Sequence, residues 1–200
     1  SPALVPPRLF KYCKADTPPM KALFFSGGDF RFFWGTCVLQ LDTSRELPYN
    51  RVKERRLNEV QARMNRLQTY MEDRALDAML ITSPKHVYYL TGYSSDPHER
   101  LLALILTRGD EPKLLVPALD LEAAQAVSSV PGIHTHGDTD NPYEILGRLL
   151  PVSMGTLGVE KDDLNVNRYE AILSAVAART VVDIGGPLRD MRAGKSREEA

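Results

Sequence analysis

From Arg51 onward, apolar and polar positions recur with regular periods. Leu57, Val60, Met64, Leu67 and Met71 are spaced by 3, 4, 3 and 4 residues, which puts them on one face of a helix. That helix should run for about five turns. Asp77 then precedes the apolar run Ala78 to Ile81, which has the length of a strand. Ser83 and Pro84 supply an N-cap and an N1 proline, so a short helix is predicted from there through Tyr89. Gly92 offers the left-handed position that stops it, and Tyr93 to Arg100 follows as a polar loop.

Leu101 to Thr107 and Lys113 to Leu119 are apolar runs flanking a short Gly- and Asp-containing gap, the pattern of an antiparallel hairpin. Leu121 to Val130 is alanine-rich and helical, and Ile133 to His136 is a short strand. Asn141 and Pro142 repeat the cap-plus-proline start for a helix through Leu150, and Thr156 to Glu160 is the next strand. Asn165 to Ala178 is a further helix with Tyr169, Ile172, Leu173 and Val176 inward, and Thr180 to Ile184 is a last β-branched strand. Helices that alternate with strands around one hairpin predict an α/β fold, a mixed sheet with helices packed on its faces.

The first 50 residues follow no such period. Pro2, Pro6, Pro7, Pro18, Pro19 and Pro48 interrupt regular structure, and Phe24 to Trp34 is aromatic without helical or strand spacing. Weak order is predicted for residues 1–50, which read equally as a tag, an upstream read-through or the tail of another element. A length of 200 residues and 43% hydrophobic content suit one domain with some chain left over. Basic and acidic residues nearly cancel, 25 against 26, so no net field draws the chain to nucleic acid or to an anionic membrane. Only Cys13 and Cys37 are present, which argues against a disulfide framework and fits a reducing, cytoplasmic setting. No run reaches the ~18 apolar residues of a membrane span, and Asp29 and Arg31 interrupt the aromatic segment that comes nearest to a signal peptide.

Chemistry-bearing residues are sparse. Asp96-Pro97-His98-Glu99-Arg100 combines imidazole, carboxylate and guanidinium in one loop, suited to binding carboxylates or to moving protons, or else to a solvated loop with local ion pairs. His134 and His136 would share one face of a strand, and Asp138 or Asp140 could complete a metal site; the alternative is an exposed edge strand. Ala193-Gly194-Lys195-Ser196 lacks the earlier glycine of a phosphate-binding loop, since Arg189 occupies that position. Ser83 and Ser196 each precede a helix start, so capping accounts for them without nucleophilic chemistry.

Three segments in order resemble the amino-terminal domain of the creatinase and prolidase family of Xaa-Pro metallopeptidases. They are the first helix with Asp77 to Ile81, the turn Tyr88-Tyr89-Leu90-Thr91-Gly92, and the exit Leu188-Arg189-Asp190-Met191-Arg192 with Lys195-Ser196. Gly194 departs from the family, which usually has a large apolar residue there. The resemblance implies a mixed sheet of ribonuclease H-like type over residues 51–186, helices on both faces, and residues 187–200 as a linker into a missing catalytic domain. It implies a pita-bread domain next in the same polypeptide, holding two divalent metal ions (Mn, Co or Zn), while this chain carries no catalytic residue and no cofactor. It further implies a homodimer acting on proline-containing peptides. In the family the loop after the Leu-Thr-Gly turn can reach a neighbouring subunit's cleft, which makes Tyr93, His98 and Arg100 candidate substrate contacts. The reading from a different class is a stand-alone binding or structural module of the same fold.

Overall fold

The computed structural model describes residues 21–23, 31–34, 37–40 and 48–194. Within the first 50 residues, β1 (Lys21–Leu23), β2 (Arg31–Trp34) and β3 (Cys37–Gln40) pair antiparallel in the order β1-β2-β3. Weak order was the expectation for residues 1–50. Phe32, Phe33 and Trp34 carry β-propensity through their aromatic side chains even without strict alternation, a signal that a search for period passes over. The remainder of that segment, and the proposed cap at Ser196, lie outside the described residues.

Helix α1 (Pro48–Asp73) is longer than the periodic stretch that predicted it. Val60, Met64, Leu67 and Met71 are buried as the spacing requires, whereas Leu57, expected on the same face, is 41% exposed. The helix ends where Ala75 takes a positive φ of 53° and the Leu76 N–H returns to the Met71 carbonyl at 2.9 Å, a 6→1 closure that satisfies a terminal acceptor.

The main sheet has six strands: β4 (Ala78–Ile81), β5 (Ala103–Thr107), β6 (Lys113–Pro117), β7 (Gly132–His136), β8 (Met154–Val159) and β9 (Ala178–Asp183). Their order is β7-β6-β5-β4-β8-β9, with β4-β5 and β5-β6 antiparallel and the other three pairs parallel. β4 lies inside the sheet and all four of its residues are buried, so it reads as an unbroken apolar run instead of alternating. The predicted hairpin is β5–β6, turning through Gly109 at φ 77°.

Five further helices are α2 (Pro84–Thr91), α3 (Leu121–Val127), α4 (Pro142–Leu149), α5 (Val166–Ala175) and α6 (Gly185–Ala193). Met79, Ile81, Leu104 and Leu114 pack with residues of α1, α2, α3 and α6 on one face. Ala78, Leu80, Ile105 and Leu115 pack with residues of α4 and α5 on the other. The sheet is therefore covered on both sides, as the fold class anticipated. α4 and α5 approach so closely that a Cβ on Gly147 would lie 2.7 Å from the Ala175 carbonyl oxygen.

Several boundaries differ from the pattern-based reading. The chain leaves β6 at Pro117 for a 3-10 turn at Ala118–Asp120, and Leu119, read as a strand residue, is exposed. α3 stops at Val127, and Leu173 of α5 is partly exposed rather than inward. Helix α6 covers residues 187–193 of the stretch read as linker. Gly185, Gly186 and Pro187 look like breakers, yet a proline in the first turn of a helix loses no hydrogen bond, and Leu188 is fully buried. Tyr89 of α2 donates its hydroxyl to the Met191 carbonyl at 2.8 Å and stacks under the Arg63 guanidinium at 4.3 Å, tying α1, α2 and α6 together.

Candidate functional site

β4 and β8 are parallel neighbours whose chains depart to opposite sides. After β4 the next strand, β5, lies on one side; after β8 the next strand, β9, lies on the other. The carboxyl ends of two such strands leave a crevice between them, the usual place for a ligand in an open α/β sheet.

Glu160, the first residue after β8, sits in that crevice and is fully buried. Its Oε2 accepts the main-chain N–H groups of Thr82 at 2.7 Å and Ser83 at 2.9 Å, and its Oε1 pairs with His86 Nδ1. The amino end of α2 is therefore held by a carboxylate 77 positions away, while the Ser83 side chain makes no capping bond. A carboxylate accepting on both oxygens requires that His86 carry its proton on Nδ1. His86 Nε2 and Thr82 Oγ1 are left buried without a partner. Asp163, nearby on the loop before α5, has its pKa raised by burial first and by the Glu160 charge second, against a lowering hydrogen bond from Ser83. A cavity of about 410 Å³ opens beside this cluster, lined by Lys85, His86, Glu160, Asp163, Arg189 and Arg192 among others.

A second cavity of about 460 Å³ lies at the opposite ends of the same strands, around Asp77 and Arg108. There Asp77 Oδ2 accepts from Gly155 N at 2.7 Å and Thr156 N at 3.0 Å, and these bonds, Thr156 first, hold its pKa below the ordinary carboxylate value. Arg108 donates twice to the Leu76 carbonyl. Both side chains are spent on fastening the starts of β4 and β8, so the crevice at the carboxyl ends is the stronger candidate.

The three residues expected to contact substrate do not converge. Tyr93 is buried in the core, which raises its pKa through desolvation. His98 is exposed, in a left-handed backbone conformation at φ 51°, with Nδ1 3.8 Å from Asp96 Oδ1. Arg100 reaches across to Asp138, Nε to Oδ1 at 2.9 Å, rather than pairing with Asp96 or Glu99. The segment is pinned by Arg168 of α5, whose Nη2 donates to the carbonyls of His98, Glu99 and Arg100 at 3.1, 3.0 and 3.3 Å.

His134 and His136 both lie on β7. His136 is buried on the edge strand β7 and its Nε2 bonds the Leu101 carbonyl at 2.8 Å, while Asp140 accepts from Gly137 N and Asp138 is engaged by Arg100. Among the described residues no three His, Cys, Asp or Glu side chains come together in a metal-holding group. Sequence reasoning did not single out Glu160, His86 or Arg168. Glu160 closes a predicted strand and Arg168 falls in a predicted helix, and the partners that give each its role lie about 70 positions away or more.

The sequence model of the Creatinase/Prolidase N-terminal domain family matches residues 63–193. An uncharacterized peptidase of Staphylococcus aureus (strain bovine RF122 / ET3-1) is 33% identical over 129 residues, 64% of this chain and 36% of that protein. The chain thus spans little more than a third of the curated relatives that it matches. Among solved structures, the creatinase/prolidase N-terminal domain of an X-Pro dipeptidase from Streptococcus pyogenes superposes with a TM-score of 0.61 at 27% identity, covering 64% of this chain and 98% of that one. A proline dipeptidase structure from Streptococcus pneumoniae gives 0.62 at 30% identity, covering 66% and 98%.

Proposed function

Because the chain belongs to the Creatinase/Prolidase N-terminal domain family, we propose that residues 63–193 form the non-catalytic amino-terminal domain of an Xaa-Pro dipeptidase or aminopeptidase. The observation that carries this reading is the near-complete coverage of an isolated N-terminal domain of an X-Pro dipeptidase, 98% of its length, by a chain that spans only 36% of a whole peptidase relative. On this reading a pita-bread catalytic domain in the same polypeptide binds two divalent ions, Mn, Co or Zn, which activate water for attack on the amide preceding proline. The setting is cytoplasmic and the assembly a homodimer.

The domain's own contribution is geometric. A cleft that accepts a free amino terminus and rejects longer peptides needs walls, and a rigid domain from the partner subunit supplies them by steric limits and by contacts to the substrate carboxylate. The loop 93–100 suits that task, because Arg168 gathers three consecutive carbonyls and the Arg100–Asp138 pair holds its far end. His98 and Arg100 remain at the surface to meet a ligand, whereas Tyr93 would act only by supporting the loop from beneath.

The test starts with sequencing the transcript beyond the codon for Ala200 and expressing what it encodes. A frame that continues into Asp-, His- and Glu-bearing segments, with manganese-dependent cleavage of an Xaa-Pro dipeptide by the product, is the expected result. An immediate stop codon with a stable, inactive product refutes the peptidase reading and leaves the stand-alone module.

A further inference from the structure

We propose that the cavity at the carboxyl ends of β4 and β8 binds a small zwitterion, its ammonium group towards the carboxylates of the loop after β8, its carboxylate towards Lys85 and Arg192. The lining charges are divided by element. Glu160, Asp162 and Asp163 come from the segment that follows β8 and Asp96 from the loop after α2, whereas Lys85 comes from α2 and Arg189 and Arg192 from α6. A simple anion would be repelled by the first group and a simple cation by the second. A molecule carrying both charges a few ångströms apart satisfies both sides.

The second support is the unpartnered imidazole nitrogen. His86 is 5% exposed and lines the cavity, and with Nδ1 committed to Glu160 its Nε2 has no partner. A buried polar nitrogen without a partner is uncommon and costly, and a polar group of a ligand is the partner it lacks. The other charges are already assigned: Arg189 pairs with Asp162, and Glu160 is filled by its three bonds. Among the described residues, Lys85 and Arg192 have neither an ion-pair nor a hydrogen-bond partner, which leaves two cations for one carboxylate. At about 410 Å³ the space suits a small amino acid or a short peptide terminus. This inference stands apart from the peptidase reading, since it concerns this chain alone.

The experiment titrates the full chain with glycine and with L-proline, followed by two-dimensional 1H–15N spectra of the backbone and of the histidine rings. Acetate and methylammonium at matched ionic strength are the half-charge controls. Saturable shifts confined to Thr82, Ser83, His86 and the 160–163 loop are expected with the zwitterions, and responses roughly tenfold weaker with either control. The K85A/R192A double variant alters only exposed side chains and so keeps the fold. It should weaken zwitterion binding by roughly tenfold to a hundredfold, the loss of charge-assisted hydrogen bonds. Shifts that are linear, that are alike for all four probes or that survive in the double variant would overturn the proposal, as would none at all.

Discussion

Replacing Glu160 with Ala should be among the most damaging single changes in the domain. Three donors lose their acceptor: Thr82 N, Ser83 N and His86 Nδ1. An orphaned buried donor costs about 1–3 kcal/mol, so three would sum to roughly 3–9 kcal/mol if nothing relaxed. Water entering from the adjoining cavity can replace part of the loss, which brings the expected destabilisation to about 3–5 kcal/mol. Against a typical total of ~5–15 kcal/mol, that is enough to unfold a visible fraction of the protein. E160Q keeps an acceptor for the two main-chain groups, and its amide can donate to His86 once the imidazole moves its proton to Nε2. It should cost only about 1–2 kcal/mol, the difference between a charged and a neutral acceptor. S83A removes a hydroxyl that bonds Asp163 but caps nothing, and should cost no more than ~1 kcal/mol. Urea unfolding followed by far-ultraviolet circular dichroism, with a constant m value, measures all three. If S83A were the more damaging change, or if E160A stayed within ~1 kcal/mol of the parent, the reasoning would be refuted.

The remaining predictions concern charges at the surface and the first 50 residues. In a full-length protein carrying this chain, R100A should lower kcat/KM on an Xaa-Pro dipeptide by about 1.5–3 kcal/mol in transition-state free energy and a tripeptide's by less. The same variant should lose no more than ~1 kcal/mol of stability, because the Arg100–Asp138 pair is exposed; unchanged kinetics on both substrates sinks the cleft assignment. Asp77 and Asp163 should show opposite pH dependences. The folded pKa of Asp77 is depressed below 3.8, so its stabilising contribution is present above that value and lost as pH falls through the folded pKa, a slope that D77N should remove. The folded pKa of Asp163 is raised above 3.8, so stability is lost as pH rises through the folded pKa, and D163N should raise the Tm at pH 7 but not at pH 3. Thermal melts across pH check both, and like-signed responses would contradict the assigned causes. Deleting residues 1–50 should shift the Tm by less than the ~4 °C that a 1 kcal/mol contribution produces, measured by scanning fluorimetry, and a larger drop counts against it.

Local chemistry made much of the fold legible. Gly92 does take a left-handed φ of 76° and returns its N–H to the Tyr88 carbonyl, and Asn141 does cap its helix through its side chain. Each of these signals acts within four residues, so a linear sequence contains it whole. Ser83 carries the same local signature as Asn141, followed by proline, yet its helix is capped from Glu160. Nothing near Ser83 distinguishes the two situations, because the competitor arrives through the pairing of β4 with β8. α6 was obscured for the converse reason: its local residues look like breakers, and only the burial of Leu188 against the sheet reveals the helix. Tyr93 was assigned to the loop by its polar neighbours, although an aromatic ring next to a helix stop packs as readily inward. The candidate crevice was therefore invisible from sequence, since the three bonds that place Glu160 in it each span more than 70 positions.

The reach of Glu160 also sets a timetable for synthesis. α2 is complete in sequence by Thr91, but the carboxylate that satisfies its first N–H groups leaves the ribosome 77 residues after Ser83. At about 5–20 residues per second, the nascent domain waits roughly 4–15 s with the amino end of α2 open and the β8 side of β4 unpaired. The hairpin β5–β6 emerges within that interval and can already cover the other edge of β4. The order of synthesis therefore makes the antiparallel half of the sheet available before the residues that close the crevice.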